Sequence, residues 1–178
     1  MTPARVVELA LAAGDYVRQS LGPSFEGLDG SPESLAFVDH YITKVGNVSD
    51  QILDLVASAV GCYFGEVVIA HLGGTWSTEG DDPSGWTITL DAAPLRFRPV
   101  AMAAEAIRGE DLEDYDAAIT APSAYQETLA DTLAASGPVE AAYYYSLTGR
   151  LETLEHSTEV LVELRRREEE GAPKPGEN

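Results

Sequence analysis

The run Gly61-Cys62-Tyr63-Phe64-Gly65-Glu66, followed ten residues later by Trp76, holds residue types at a spacing that could do chemistry. Glu66 lies in the most apolar stretch of the chain, Val56 to Leu72. On a helix it shares a side with Ile52, Leu55, Ala59 and Cys62. A carboxylate placed there must be paired, hydrogen-bonded or neutral, because an isolated buried charge is strongly destabilising. The donors on offer are Arg96 and Arg98, which alternate with Leu95 and Phe97, the indole N–H groups of Trp76 and Trp86, and the Tyr63 hydroxyl. Two readings stand. One is a Glu–Arg tie that joins a helix to a sheet. The other is a polar pocket lined by Glu66, Tyr63, Trp76, Arg96 and Arg98, in which Glu66 orients or protonates a ligand.

The two glycines of this run also need a reason, since Gly costs about 1 kcal/mol relative to Ala at a helical position. At 100° per residue, Ser58, Gly61 and Gly65 form one narrow strip in line with Asp54. A strip without side-chain bulk lets a neighbouring backbone, or a flat ligand, approach closely.

Other constellations do not assemble. His40, His71 and His156 fall on three separate predicted helices without the i, i+4 partner of a zinc helix, so no metal site is expected. Cys62, the single cysteine, reads as a small buried hydrophobe rather than a nucleophile, and it excludes an intramolecular disulfide. There is no Gly-x-Ser-x-Gly elbow and no phosphate-binding glycine loop, so neither a catalytic serine nor a nucleotide cofactor is indicated. Asp111, Glu113, Asp114 and Asp116 lack the register of a calcium loop and read as a solvated face. In Tyr143-Tyr144-Tyr145, successive residues point in different directions on a helix, so at least one tyrosine is expected at the surface, as an interface candidate.

Several elements position these residues. Thr2-Pro3 opens a first helix as cap and first residue, and Ser31-Pro32 opens a second. Asn47 can cap a long third helix that stops at Gly73-Gly74; apolar nearly all round, it should be the central, enclosed helix. Thr75–Ser77, Trp86–Leu90 and Leu95–Arg98 read as three short antiparallel strands joined by an acidic loop, after which Pro99 starts a helix. Two more helices follow, from Pro122 and from Pro138, and Gly149 should separate the second from a last helix striped with Leu151, Leu154, Leu161 and Leu164. Arg165 to Arg167 should sit in its last turn. The expected fold is α+β and predominantly helical: a helical bundle with one small antiparallel sheet, residues 75–98, inserted after a central buried helix. Residues 1–170 make a single domain, and 171–178, rich in Pro and Gly, a disordered tail.

The Gly-x-Tyr-x-Gly-Glu pattern with its downstream Trp76, preceded by Ser31-x-x-Ser34-Leu35, resembles a group of uncharacterised bacterial domains over residues 29 to 108. The resemblance implies a shared fold and supplies no catalytic residues.

Charge narrows the function classes. With 30 Asp and Glu against 11 Lys and Arg, the net charge of −19 repels phosphate backbones and anionic lipid heads, which argues against nucleic-acid or membrane partners. Met1 to Ala13 carries Arg5 and Glu8 and does not read as a signal peptide; with one cysteine, a cytoplasmic protein is expected. The leading expectation is a non-catalytic protein that binds another protein. Its specific form is an immunity or inhibitor protein whose acidic face, Glu79 to Asp82 or Asp111 to Asp116, covers a basic partner. The leucine stripe could instead form a homodimer seam. The alternative is a small-molecule binder or minor enzyme with its pocket between the central helix and the hairpin.

Overall fold

The structure is a computed structural model that describes residues 1–171; of the expected tail, 172–178 lie outside the described residues. The chain is 65% helical, with seven α-helices and one three-stranded antiparallel sheet among the described residues. Helices α1 (Ala4–Leu21), α2 (Leu35–Val45) and α3 (Asp50–Leu72) precede strands β1 (Gly74–Ser77), β2 (Thr87–Leu90) and β3 (Arg96–Phe97); α4 (Pro99–Arg108), α5 (Ser123–Ala135), α6 (Ala141–Tyr145) and α7 (Leu147–Gly171) follow. The sheet order is β1-β2-β3, with Trp76 opposite Ile88, and Ile88 opposite Phe97.

Helix α3 organises the molecule. By length and composition it could cross a bilayer, yet 67% of its most apolar window is buried inside the fold. It packs chiefly on α1 and α4, with the sheet and α7 completing its surroundings. Enclosure is incomplete at its N-terminal end, where Ile52 and Leu55 remain 48% and 55% exposed. The side that carries Glu66 therefore runs from solvent at its start to core at Ala59 and Cys62.

Two start signals act differently from their expected roles. Pro3, not Thr2, occupies the cap position of α1, and the Thr2 hydroxyl reaches across to Glu66 instead. Helix α3 starts at Asp50 after Ser49; the Asn47 side chain is taken by Arg108, whose guanidinium also donates to the Val48 carbonyl and to Asp50. A guanidinium with several acceptors in one loop outcompetes a single side-chain cap.

The C-terminal half needs two corrections. The helix expected from Pro138 to about Leu147 is only the five residues of α6, and the break falls at Ser146, whose backbone is extended. Gly149 lies inside α7, where it lets the Tyr143 carbonyl approach so closely that a Cβ would collide with it. The glycine is a contact residue, not a separator. The N-terminus of α7 is held by Asp39 of α2, whose carboxylate accepts from the Leu147 and Thr148 N–H groups at 2.7 and 3.1 Å and from the Thr148 hydroxyl at 2.6 Å. These are orphan amides at the positive end of the helix dipole, so a carboxylate from another helix is the fitting partner. Leu151, Leu154 and Leu161 are at most 4% exposed and Leu164 is half-buried, so most of the leucine stripe packs into the core of this fold. Helix α7 continues past Arg165–Arg167 to Gly171, and Arg166 is bonded to Glu163 and Glu170 within it.

The glycine strip of α3 gives the first testable consequence. A Cβ on Gly61 would stand 2.5 Å from Val100 Cα and 2.9 Å from the Pro99 carbonyl oxygen, so α4 would have to move as a backbone. Gly14 in α1 has nothing within 4 Å of such a Cβ. Gly61→Ala is expected to destabilise by about 2 kcal/mol or more through overpacking. Gly14→Ala should stabilise by up to about 1 kcal/mol through helix propensity. Urea unfolding midpoints of the two variants check both signs.

Candidate functional site

The five pocket candidates do not converge. Glu66 is half-buried and takes a partner from the sheet, but the partner is an indole: Trp76 Nε1 donates to Glu66 Oε1 at 2.8 Å, and the Thr2 hydroxyl donates to Oε2 at 3.1 Å. The expected Glu–Arg tie is absent from the described residues. Arg98, at the entrance to α4, is paired with Asp116. Arg96 pairs its backbone with Thr120, and its Nε lies 3.4 Å from the Thr87 hydroxyl. Both arginines line a minor recess of about 200 Å³ on the outer side of the sheet, with Asp116 and Thr120. Strand β3 turns its Phe97 inward and Arg96 outward, so alternation carries the guanidinium away from α3.

Tyr63 points to yet another place. Its hydroxyl accepts from the Gly30 N–H at 3.0 Å and meets Ser34 Oγ at 2.5 Å. Ser34 gives its only hydroxyl proton to the Ser31 carbonyl, so the phenol donates to Ser34. Burial pushes the Tyr63 phenol up. The Ser31-x-x-Ser34 turn and Tyr63 thus form one buried polar lock between α3 and the turn before α2.

The space beneath the hairpin is filled. A Cβ on Gly65 would come within 3 Å of the Trp76 ring and 2.9 Å of Ile88 Cδ1, and Phe64 meets Phe97 edge-on at 6.5 Å between centroids. The pocket between central helix and hairpin has no room for a ligand at this point.

Room exists elsewhere, in two clefts. The first, about 610 Å³, is walled by the N-terminal half of α3, the turn at residues 83–85, α4 and the loop after it. Asp50 and Asp54 come from α3, Asp82 from the hairpin loop and Asp114 from the loop after α4, with Ser58 and Val100 at the base. Each of the two acidic segments, Glu79 to Asp82 and Asp111 to Asp116, contributes one aspartate to this cavity. Tyr115 sits among them and donates to Asp54. Its phenol is pushed up by burial, then by the bond to Asp54 and the charges of Asp54, Asp82 and Asp50. Arg108, with only 13% of its side chain exposed, is the basic group in the lining; its Nη1 donates to Asn47 and the Val48 carbonyl and its Nη2 to Asp50. What the cleft offers is therefore surplus negative charge around one aromatic ring.

The second cleft, about 580 Å³, lies between α5, α6 and α7 and is mostly apolar. Tyr143 and Tyr144 line it, both more than 40% or at 40% exposed, whereas Tyr145 is turned in and donates to Asp111 at 2.9 Å. Its inner end is Arg150, joined to Glu105 of α4 by a buried ion pair at 2.6 Å. Sequence reasoning passed over this pair and the Asp39 cap. The signal was present, because Glu105 stands in an apolar run from Val100 to Ile107, as Glu66 does in α3, but nothing local indicates a partner 45 residues away.

Among the described residues, no group of three His, Cys, Asp or Glu side chains could hold a metal ion. Comparison with known protein families, with curated proteins and with solved structures finds no match to the chain, so neither cleft inherits an activity from a relative.

Cys62 can be tested as a nucleophile directly. Burial first, and then the charge of Glu66, push its thiol up to about 12. The thiolate, which is the reactive form, is then much scarcer at neutral pH than in a free cysteine. With its side chain also fully buried, Cys62 in native protein near pH 8 should react with a thiol reagent far more slowly than free cysteine, and addition of denaturant should restore a full equivalent of labelling.

Proposed function

We propose that the chain is a non-catalytic binding protein whose acidic cleft between α3, α4 and the hairpin loop receives basic side chains of a protein partner. The observation that supports this reading is the convergence of Asp50, Asp54, Asp82 and Asp114, from three separate segments, on one cavity of about 610 Å³. A cavity of that size accommodates an inserted lysine or arginine, and Tyr115 adds an aromatic face for a cation. A net charge of −19 draws a basic partner from a distance; the cleft would then fix its orientation. The specific form of the reading is an immunity or inhibitor protein that covers the basic surface of its target.

The experiment is a titration of isotope-labelled protein with an arginine-rich hexapeptide, followed by backbone NMR at low and at physiological salt. Amide shifts should cluster at Asp50, Asp54, Asp82, Asp114 and Tyr115. Affinity should fall about tenfold or more on raising the salt, as screened charge pairs require. Asp54→Asn with Asp82→Asn should abolish the clustered shifts. Shifts spread evenly over the acidic surface, or an affinity indifferent to salt, would sink the reading.

A further inference from the structure

Most arginines of this acidic chain are matched to a carboxylate, but Arg96 enters none of the ion pairs among the described residues. Its Nε lies 3.4 Å from the Thr87 hydroxyl oxygen, and its two terminal nitrogens bond to nothing among the described residues. With 30 acidic side chains in the sequence, this guanidinium stands where the fold brings no carboxylate of its own.

Arg98 lies beside it. The backbone is extended at Arg98, with φ −113° and ψ 102°, so the alternation of β3 continues and both arginines leave the sheet on the side opposite Phe97. Arg98 gives Nη1 to the carboxylate and the carbonyl of Asp116, which leaves its Nη2 and Nε without a partner among the described residues. Asp116 is engaged at both oxygens, since the second accepts from the Ala118 N–H at 3.3 Å. Two guanidiniums are thus balanced by one carboxylate, and the lining of the recess between them is positive.

That recess, about 200 Å³, is lined by Arg96, Arg98, Asp116, Thr87 and Thr120. Each guanidinium is placed at it by a bond to another lining residue, Arg96 to Thr87 and Arg98 to Asp116. Both are open to solvent: Arg96 is exposed, and the Arg98 side chain is 35% exposed. Sites for whole small molecules run to about 300 Å³ or more, so this space suits one polyatomic anion. Shape selects among anions. A carboxylate has its two oxygens in one plane, which a single guanidinium fork satisfies. Two guanidiniums on separate stems, with the Thr87 hydroxyl still free to donate, call for oxygens in three directions. The overall negative charge does not forbid this, because at physiological salt it is screened beyond about 8 Å, and the recess is governed by the groups in contact.

We infer that the recess between Arg96 and Arg98 binds a single phosphate group, held by the terminal nitrogens of Arg96, the unused edge of Arg98 and the Thr87 hydroxyl. Free phosphate and a phosphate monoester present the same group to these donors.

The full chain is titrated with inorganic phosphate, methyl phosphate or acetate at constant ionic strength, sodium chloride making up the difference. NMR follows the backbone amides of Arg96 to Arg98 and Ala118 to Thr120, and the Arg96 Nε–H. Inorganic phosphate should shift this set with half-saturation at about 5 mM, within what an anion of its size can supply. Acetate should bind about fivefold or more weakly, because it cannot engage both forks. Methyl phosphate that matches inorganic phosphate assigns the site to a phosphate carried on a larger molecule; methyl phosphate that fails to bind assigns it to the free ion. Arg96→Gln, at an exposed position whose backbone pairing with Thr120 is untouched, should weaken phosphate about tenfold or more through lost charge-assisted hydrogen bonds. Arg165→Gln removes the same charge at an exposed position of α7 and should leave binding unchanged. Phosphate shifts that are absent at about ten times the expected half-saturation, or spread over the whole surface, overturn the assignment. So does acetate binding as tight as that of phosphate, phosphate binding that survives Arg96→Gln, or an equal loss in the two variants.

Discussion

The close contact along one strip of α3 is the constraint on which the other elements depend. Gly61 admits the first residues of α4 to backbone distance, and Gly65 admits the Trp76 ring. Neither approach is available to a helix with a Cβ at those positions. Trp76 could rotate or withdraw if only its ring were packed, but its N–H is tied to Glu66, one residue beyond the glycine that receives it. Glu66 thus aims the indole, and the indole satisfies the carboxylate. From this seam the geometry spreads outward. Helix α4, placed by Gly61, carries Glu105 to the buried Arg150 of α7 and Arg108 to the loop before α3. Strand β3 is paired with β2 and in turn exchanges two backbone hydrogen bonds with Thr120, which fixes the loop that leads into α5.

Much of this architecture is legible in the residues. The α+β class, the three short strands, the central helix with its stop at Gly73 and the proline that opens α4 all follow from periodicity and punctuation, which are local properties. The need of Glu66 for a partner from the sheet follows as well. Its identity does not, because an arginine and an indole are equally able donors and strand alternation alone leaves the inward face undecided. The face is decided by Phe97, which packs on Phe64 and leaves Arg96 outside. Gly149 misleads for a related reason: a glycine that ends a helix and a glycine that accepts a close backbone carbonyl look alike in sequence.

The clefts were the least legible part, since each is assembled from segments distant in the chain. Asp82 and Asp114 lie on different loops, and both face Asp54 only because the hairpin and α4 dock on the same stretch of α3. In sequence the acidic residues at 79–82 and 111–116 therefore read as two alternative faces, one in the hairpin loop and one solvated. Not all of them are free in the fold. Asp82 accepts from the Ser84 amide and hydroxyl, Asp111 from Tyr145, and Asp116 is paired with Arg98, so part of the charge has internal work to do. With Asp50 paired to Arg108, the surplus rests mainly on Asp54 and Asp114 beside Tyr115.

Glu105 and Arg150 show why a buried ion pair should be read for placement before stability. Taking both charges out of water offsets most of their attraction, and apolar residues of similar volume would hold α4 to α7 at least as firmly. What apolar residues could not do is set direction. The pair fixes which turn of α7 meets α4, Asp39 fixes where α7 begins, and the Arg150 guanidinium supports Tyr144 from below. Together these contacts set one wall of the second cleft, while α5, opposite, buries Leu129 and packs Tyr125 and Leu133 partly against the core. The second cleft shares no lining side chain with the seam at Gly61 and Gly65, so these contacts shape it without touching the packing of α3.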